Sequence, residues 1–140
     1  MLQVTETHNP GATERAGADL AARLRPGDVV FIRGDLGAGK TTFVRGAAHA
    51  LGVDAPVTSP TYTIGQLYAA RDGLELAHVD LYRLDTLAGE DPALLDDYLT
   101  PERIAFVEWP EVGEPAIDRV AARVRIEHAG GDARRIEVSA

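Results

Sequence analysis

One short motif limits what this chain can fold into more than any other feature. Residues 34–41 read Gly-Asp-Leu-Gly-Ala-Gly-Lys-Thr and match the pattern G-x-x-x-x-G-K-[ST] in full. The apolar run Val29–Ile32 precedes them, and apolar residues at helical spacing follow. A buried strand that leads through such a loop into a helix is typical of phosphate-binding sites, because backbone N–H groups converge there. A glycine-rich turn without a ligand is the alternative.

We expect this glycine-rich loop, residues 34–41, to hold the phosphates of a nucleotide. Lys40 is the only lysine among fourteen cationic residues, and its ammonium group would reach the β- and γ-phosphates. The Thr41 hydroxyl would be a ligand of Mg²⁺. The residues predicted to line the nucleotide from this motif are Asp35, Leu36, Gly37, Ala38, Gly39, Lys40 and Thr41.

Two acidic residues are candidates for the carboxylate that such a site needs near its metal. Asp80 follows the apolar segment 76–79, and Glu108 follows the more strongly apolar segment 104–107. Ligands of open α/β sheets bind at the carboxyl ends of the strands, so we expect both acids at a polar edge outside the core. With Lys40 they are the predicted catalytic residues, and with Thr41 the predicted metal ligands. The alternatives are a strand cap for Glu108 and a turn residue for Asp80.

The pattern along the chain predicts an α/β fold in one domain, residues 1–140. It is similar to a P-loop NTPase sandwich, with a mostly parallel central sheet and antiparallel hairpin additions. Asn9-Pro10-Gly11 is expected to break the chain before a helix over 12–24, with Thr13 as its N-cap. The other predicted elements are a strand over 2–7, a helix from Phe43 that ends at Gly52, hairpins over 62–80 and 120–139, and a helix over 87–99.

The composition excludes several classes of protein. Fourteen basic against 22 acidic residues give a net charge of −8, so the chain lacks the basic face that a stand-alone nucleic-acid binder needs. Without cysteine there is no disulfide, Cys-based zinc site or thiol catalysis. No apolar run approaches the length of a membrane span, and the first ten residues do not resemble a signal peptide. We therefore expect a cytoplasmic protein with no membrane association.

Three further features have two interpretations each. The hydroxyl-rich segment Thr58–Tyr62 is either a phosphate-sensing switch or a turn. His78 alternates with its neighbours in an apolar segment, and we interpret it as structural. Trp109, the only tryptophan, either stacks on a base or packs in the fold.

Four motifs in order closely resemble the bacterial TsaE family. They are residues 34–43, Ser59-Pro60-Thr61-Tyr62, the segment 78–84 that reads His-Val-Asp-Leu-Tyr-Arg-Leu, and the segment 107–111 that reads Val-Glu-Trp-Pro-Glu. The resemblance implies an ATPase that uses ATP and Mg²⁺ and is required for threonylcarbamoyladenosine modification of tRNA. It also implies association with the TsaB–TsaD complex, through which alone this acidic chain would reach tRNA. Asp80 and Glu108 correspond to the family's acidic site residues, and Thr42, Thr61 and Trp109 would lie near the nucleotide.

Other nucleotide-binding functions compete with this interpretation. A GTPase would need a second lysine for its guanine-reading motif, which this chain lacks. A small-molecule kinase would need a lid that carries arginine, and neither Arg71 nor Arg83 stands in a lid-like insertion. A nucleotide-gated interaction protein with negligible hydrolysis stays open, because no residue is a certain general base.

Overall fold

A computed structural model describes residues 2–35, 37–59, 64–82, 95–110, 117 and 120–140. Within them one sheet has the strand order β1-β7-β6-β2-β5-β4-β3, with helices α1 and α2 packed together. The elements are β1 (Leu2–Thr7), α1 (Pro10–Ala21), β2 (Val29–Arg33), α2 (Lys40–Ala50), β3 (Gly65–Ala69), β4 (Glu75–Asp80), β5 (Arg103–Glu108), β6 (Ala122–His128) and β7 (Arg134–Ser139).

The centre of the sheet is parallel and its flanks are antiparallel. β2 pairs in parallel with both β5 and β6, and β4 pairs in parallel with β5. The hairpins β3–β4 and β6–β7 are antiparallel, and β1 pairs antiparallel with β7. The predicted α/β fold and both predicted hairpins are confirmed, and so is the first strand.

Both faces of the central strand β2 are buried, which explains its continuous apolar sequence. Val30 and Ile32 belong to the core under the helices, and the large members of that core include Leu20, Phe43, Leu76, Ile104, Phe106, Ile126 and Ile136. Phe31 lies on the opposite face, in a smaller cluster with Ala77, Val79, Leu81, Leu95, Ala105 and Val107. The loop that follows β2 is therefore fixed to a central strand that is buried on both faces.

Helix α1 begins earlier than the sequence indicates. Asn9 is its N-cap, and the side-chain oxygen accepts a 2.8 Å hydrogen bond from the Ala12 N–H. Pro10 occupies the first helical position, where its missing N–H costs nothing. The prediction that Thr13 caps the helix is wrong: Thr13 is buried and its hydroxyl lies 2.8 Å from the Thr7 hydroxyl. Pro10, expected from the sequence to break the chain before the helix, is instead the first residue of the helix.

Helices α1 and α2 pack at backbone distance because each carries a glycine at the contact. A Cβ on Gly17 would collide with the Phe43 carbonyl oxygen, and a Cβ on Gly46 with the Glu14 carbonyl oxygen. The predicted helix α2 is confirmed, although it begins at Lys40 rather than at Phe43, and Gly52 follows it with a φ of 90°. The helix predicted over 87–99 falls largely outside the described residues, and its described part, Leu95–Tyr98, is a turn. Among described residues, no helix is long and apolar enough to cross a membrane.

Candidate functional site

The glycine-rich loop joins β2 directly to α2 at the carboxyl edge of the sheet. Gly37 and Gly39 have φ values of 76° and 103°, a region of backbone conformation that residues with a Cβ rarely adopt. Gly39 is the N-cap of α2 and supplies no side-chain cap, and the first helical turn contains no acidic residue. The groups at the start of α2 are therefore the backbone N–H groups of a helix end and the Lys40 ammonium, and this positive charge favours the binding of an anion.

Lys40 is buried within this loop, with only 5% of its surface exposed. Its Nζ donates to the carbonyl oxygens of Gly34 at 2.5 Å and Asp35 at 3.0 Å. The same atom lies 4.3 Å from the centroid of the Trp109 ring, within cation–π range. The one lysine of the chain therefore places its charge between the loop and the end of β5.

Glu108 lies at the centre of a polar cluster under the first turn of α2. Its Oε2 accepts a 3.3 Å hydrogen bond from the Thr41 hydroxyl and contacts His78 Nε2. The Thr41 oxygen also lies 2.7 Å from the Ser59 hydroxyl. Because the Thr41 hydroxyl has a single proton and donates it to Glu108, the Ser59 hydroxyl must be the donor in its hydrogen bond with the Thr41 oxygen. The cluster links α2, β5, β4 and the segment after α2.

His78 is the residue of this cluster that the sequence did not reveal. It is fully buried, and a carboxylate oxygen can only accept, so Nε2 carries a proton and donates to Glu108. Its Nδ1 has no hydrogen-bond partner among the described residues. A signal was present: alternation in a strand places His78 and Asp80 on one face, so the histidine points toward the predicted acids.

Asp80 and Glu108 are register partners on the adjacent parallel strands β4 and β5. Both acids are brought to one edge, as predicted, but Glu108 is only 2% exposed, so the expectation that it lies outside the core is wrong. Asp80 is half-buried and its Oδ1 accepts a 2.9 Å hydrogen bond from the Tyr82 N–H. Burial raises the pKa of Asp80, and the negative charge of Glu108 acts in the same direction.

Trp109 has a φ of 54°, which is uncommon for a residue with a side chain. Its ring packs against Tyr82, with centroids 5.0 Å apart and planes at 45°. It also borders a cleft of about 510 Å³ beside the glycine-rich loop. The other residues around this cleft are Arg33, Gly34, Asp35, Ala38, Arg125, Ile126, Glu127 and His128. Trp109 therefore both packs in the fold and borders the space next to the loop.

The remaining predicted site residues have varied positions. Asp35 and Gly37 are exposed in the loop, whereas Ala38 is buried. Thr42 faces a small groove bordered by Thr13, Gly39 and the start of β7. Leu36 and Thr61 lie outside the described residues, as do Pro60 and Tyr62 of the hydroxyl-rich segment.

The donors at the site suit a magnesium ion bound together with phosphate. Thr41, Asp80 and Glu108 offer hydroxyl and carboxylate oxygens, which Mg²⁺ prefers, and Mg²⁺ commonly keeps water and substrate phosphate as ligands. In the part of the chain that the structure describes, no group of three His, Asp or Glu side chains is placed to hold a metal alone. The residues fit a metal site that further oxygen ligands, such as those of a phosphate, would complete.

A family model described as "Threonylcarbamoyl adenosine biosynthesis protein TsaE" matches residues 7–136. A Bacillus subtilis protein called tRNA threonylcarbamoyladenosine biosynthesis protein TsaE is 41% identical over 135 residues, which cover 96% of this chain and 83% of the relative. The Streptomyces coelicolor protein of the same name is 44% identical, over 83% of this chain and 79% of its own. The crystal structure of B. subtilis YdiB superposes with a TM-score of 0.78 at 36% identity, covering all of this chain and 86% of that one.

Proposed function

Because this chain belongs to the TsaE family of threonylcarbamoyladenosine biosynthesis proteins, we propose that it binds and hydrolyses ATP in support of that modification of tRNA. The observation that carries the proposal is the placement of Lys40 and Thr41 at one end of α2, directly above Glu108. In this proposal the glycine-rich loop supplies the donors for phosphate, and the two acids, which are register partners at the strand ends, serve its metal-bound end.

We assign each residue a role from its position. The backbone N–H groups of residues 36–41 bind the phosphate oxygens, and the Lys40 ammonium neutralises the β- and γ-phosphates after it leaves the Gly34 and Asp35 carbonyls. Mg²⁺, when bound, would offset the charge that develops on the leaving phosphate. Thr41 and Glu108 would hold the ion, since they already contact each other.

Asp80, on β4, lies one strand further from β2 than Glu108, on β5, does. We propose that its carboxylate orients the attacking water, while Glu108 would be the carboxylate that holds the metal. Because its pKa is raised, the Asp80 carboxylate accepts a proton more readily than an exposed carboxylate does, which suits a group beside the attacking water. Trp109 would confine the nucleotide from the side of the loop cleft.

We further propose that the protein acts with the TsaB–TsaD complex and reaches tRNA only through it. A net charge of −8 opposes direct binding to a phosphate backbone. Ser59 donates to Thr41, so a change at Thr41 when metal and nucleotide arrive would alter the segment that follows α2. That segment is our candidate for the surface that reports the nucleotide state to the partner.

The experiment that tests this function measures ATP turnover by the chain alone and with the TsaB–TsaD pair. Binding to the pair is measured in parallel with an ATP analogue, with ADP and without nucleotide. We expect turnover, and tighter binding with the ATP analogue; a tenfold preference corresponds to about 1.4 kcal/mol. Nucleotide-dependent binding without turnover would instead favour a nucleotide-gated interaction protein. Equal binding in all three states, or tight binding of the isolated chain to tRNA at physiological salt, would contradict the partner model.

A further inference from the structure

The glycine-rich loop is held from behind by an arginine that comes almost a hundred positions later in the chain. Arg134 is the first residue of β7, and its Nε donates a 2.9 Å hydrogen bond to the Ala38 carbonyl oxygen. Its Nη2 lies 3.4 Å from the Gly37 carbonyl oxygen. Two consecutive carbonyl groups of the loop are therefore oriented toward one guanidinium group.

The same guanidinium is fixed on its other side by the β6–β7 turn. Its Nη1 donates to the carbonyl oxygens of Gly131 at 2.8 Å and Ala133 at 2.9 Å. The hydrogen-bond acceptors of Arg134 in the described residues are thus all main-chain carbonyl oxygens. A planar guanidinium with donors on several edges can bridge two backbone segments in this way, whereas a lysine presents its donors from one point.

These bonds set the direction of the loop N–H groups. In a trans peptide the carbonyl and the N–H point in opposite directions, so fixing the Ala38 carbonyl toward Arg134 aims the Gly39 N–H away from Arg134. Gly39 has a φ of 103° and is the N-cap of α2, so without a side chain it has few restraints of its own.

We propose that Arg134 is a positioning residue for phosphate binding. It holds the Gly37–Gly39 backbone in the binding conformation before a nucleotide arrives, and so removes part of the ordering cost from the binding step. This inference rests on the proposed function, since it requires that the loop bind nucleotide phosphates.

The neighbouring Arg135 provides a matched control. It lies on the same strand, is exposed, and forms a 2.7 Å ion pair with Glu137 rather than a contact with the loop. Arg134→Ala and Arg135→Ala remove the same group and the same charge, one position apart. Arg134→Lys keeps the charge and removes the planar fork.

The test is calorimetric titration of the wild-type protein and the three variants with ADP and with a non-hydrolysable ATP analogue, below their unfolding temperatures. We expect Arg134→Ala to weaken binding about tenfold or more, which is the size of effect seen when a group that orients a metal ligand is removed, and Arg134→Lys to recover little of it. Arg135→Ala should bind as the wild type does. Hydrogen exchange without nucleotide should show faster exchange in Arg134→Ala at the Ala38 amide, which donates to the Asp35 carbonyl oxygen within the loop, with amides in the core of β2 unchanged.

Each alternative has its own outcome. Unchanged affinity in Arg134→Ala, with a lower unfolding temperature alone, would show that Arg134 only holds the hairpin and would overturn the proposal. Wild-type affinity in Arg134→Lys would also overturn it, because charge would then suffice. Should Arg134→Ala fail to fold, the affinity of Arg134→Lys and the exchange of its Ala38 amide decide. Absence of nucleotide binding by the wild-type protein would instead overturn the proposed function itself.

Discussion

The Thr41 hydroxyl donates to Glu108 across 67 positions of sequence, so the first turn of α2 and the end of β5 share a hydrogen bond. Glu108→Gln keeps the shape of this side chain and removes its charge. We expect the variant to bind nucleotide without Mg²⁺ as the wild type does, and to lose both the strengthening of binding by Mg²⁺ and steady-state hydrolysis. Titrations with and without Mg²⁺ measure this. A normal response to Mg²⁺ would remove Glu108 from the metal site.

Glu108→Ala tests the metal site less cleanly than Glu108→Gln does, because the sequence places Glu108 outside the core whereas the structure buries it. The carboxylate contacts the buried His78, whose other ring nitrogen has no partner among the described residues. Its removal leaves a buried polar group unsatisfied, which costs roughly 1–3 kcal/mol. We expect Glu108→Ala to unfold at a lower temperature than Glu108→Gln, as measured by circular dichroism; equal temperatures would contradict this account of the His78 contact.

Lys40→Ala should weaken ATP binding by about one to two decades, since a hydrogen bond to a charged group contributes roughly 1.5–3 kcal/mol. The control is Arg45→Ala, on the same helix, where the arginine contacts Glu14 and the Val57 carbonyl instead of the loop. Calorimetry on both variants gives the comparison. Unchanged affinity in Lys40→Ala would exclude the glycine-rich loop as the phosphate site.

His78 should orient Glu108 rather than act on the nucleotide. In His78→Gln the amide nitrogen can occupy the position of Nε2 and donate to Glu108, whereas His78→Leu fills the space without a donor. We expect His78→Leu to weaken Mg²⁺-dependent nucleotide binding by roughly 10–100-fold and His78→Gln to restore most of it. The fluorescence of Trp109, next to Glu108, reports binding. Equal affinities in the two variants would show that the histidine only packs.

Asp80 gives a prediction about pH in the absence of metal and nucleotide. Its pKa is raised by burial, so the folded protein holds this proton more tightly than the unfolded chain does. The contribution of Asp80 to stability is therefore complete below its ordinary pKa of 3.8 and is lost as pH rises through the raised value. We expect Asp80→Asn to unfold at a higher temperature than the wild type at pH 7, and this difference to vanish toward pH 3.

The control for that measurement is Asp96→Asn, a change at an exposed aspartate. It should leave the unfolding temperature close to that of the wild type throughout the pH series. A less stable Asp80→Asn protein at neutral pH would mean that the hydrogen bond from the Tyr82 N–H outweighs the cost of burying the charge. The variant should also fail to hydrolyse ATP, which would show stability and activity in conflict at this position.

The parts of the fold that depend on local sequence were predictable. The run Val29–Ile32, the glycine-rich loop and the spacing of Phe43, Val44 and Ala47 together predict β2, the loop and α2. Asp80 and Glu108 were also placed at one edge, because each follows an apolar strand and parallel strands share their carboxyl ends.

What the sequence did not predict depends on contacts between distant segments. Arg134 looks like an ordinary residue of a hairpin, and only the tertiary fold brings it to Ala38. The buried Glu108 contacts His78 on the neighbouring strand, a pairing that alternation alone could suggest but not establish. The start of α1 differs from the prediction for another reason. A proline can either interrupt a helix or occupy its first position, and at Pro10 the outcome depends on whether Asn9 is the N-cap of the helix.

The strand order has a consequence for how the protein is made. During synthesis β2, the loop and α2 leave the ribosome together, but both lateral neighbours of β2 are made much later, as β5 at residues 103–108 and β6 at residues 122–128. Until then the apolar residues Val30, Phe31 and Ile32 lack the strands that pair with them in the folded sheet. Such non-local pairing slows folding and leaves an early segment prone to aggregation. A nascent chain that already contains the whole glycine-rich loop should therefore not yet bind nucleotide, and should need chaperone protection that the finished protein does not.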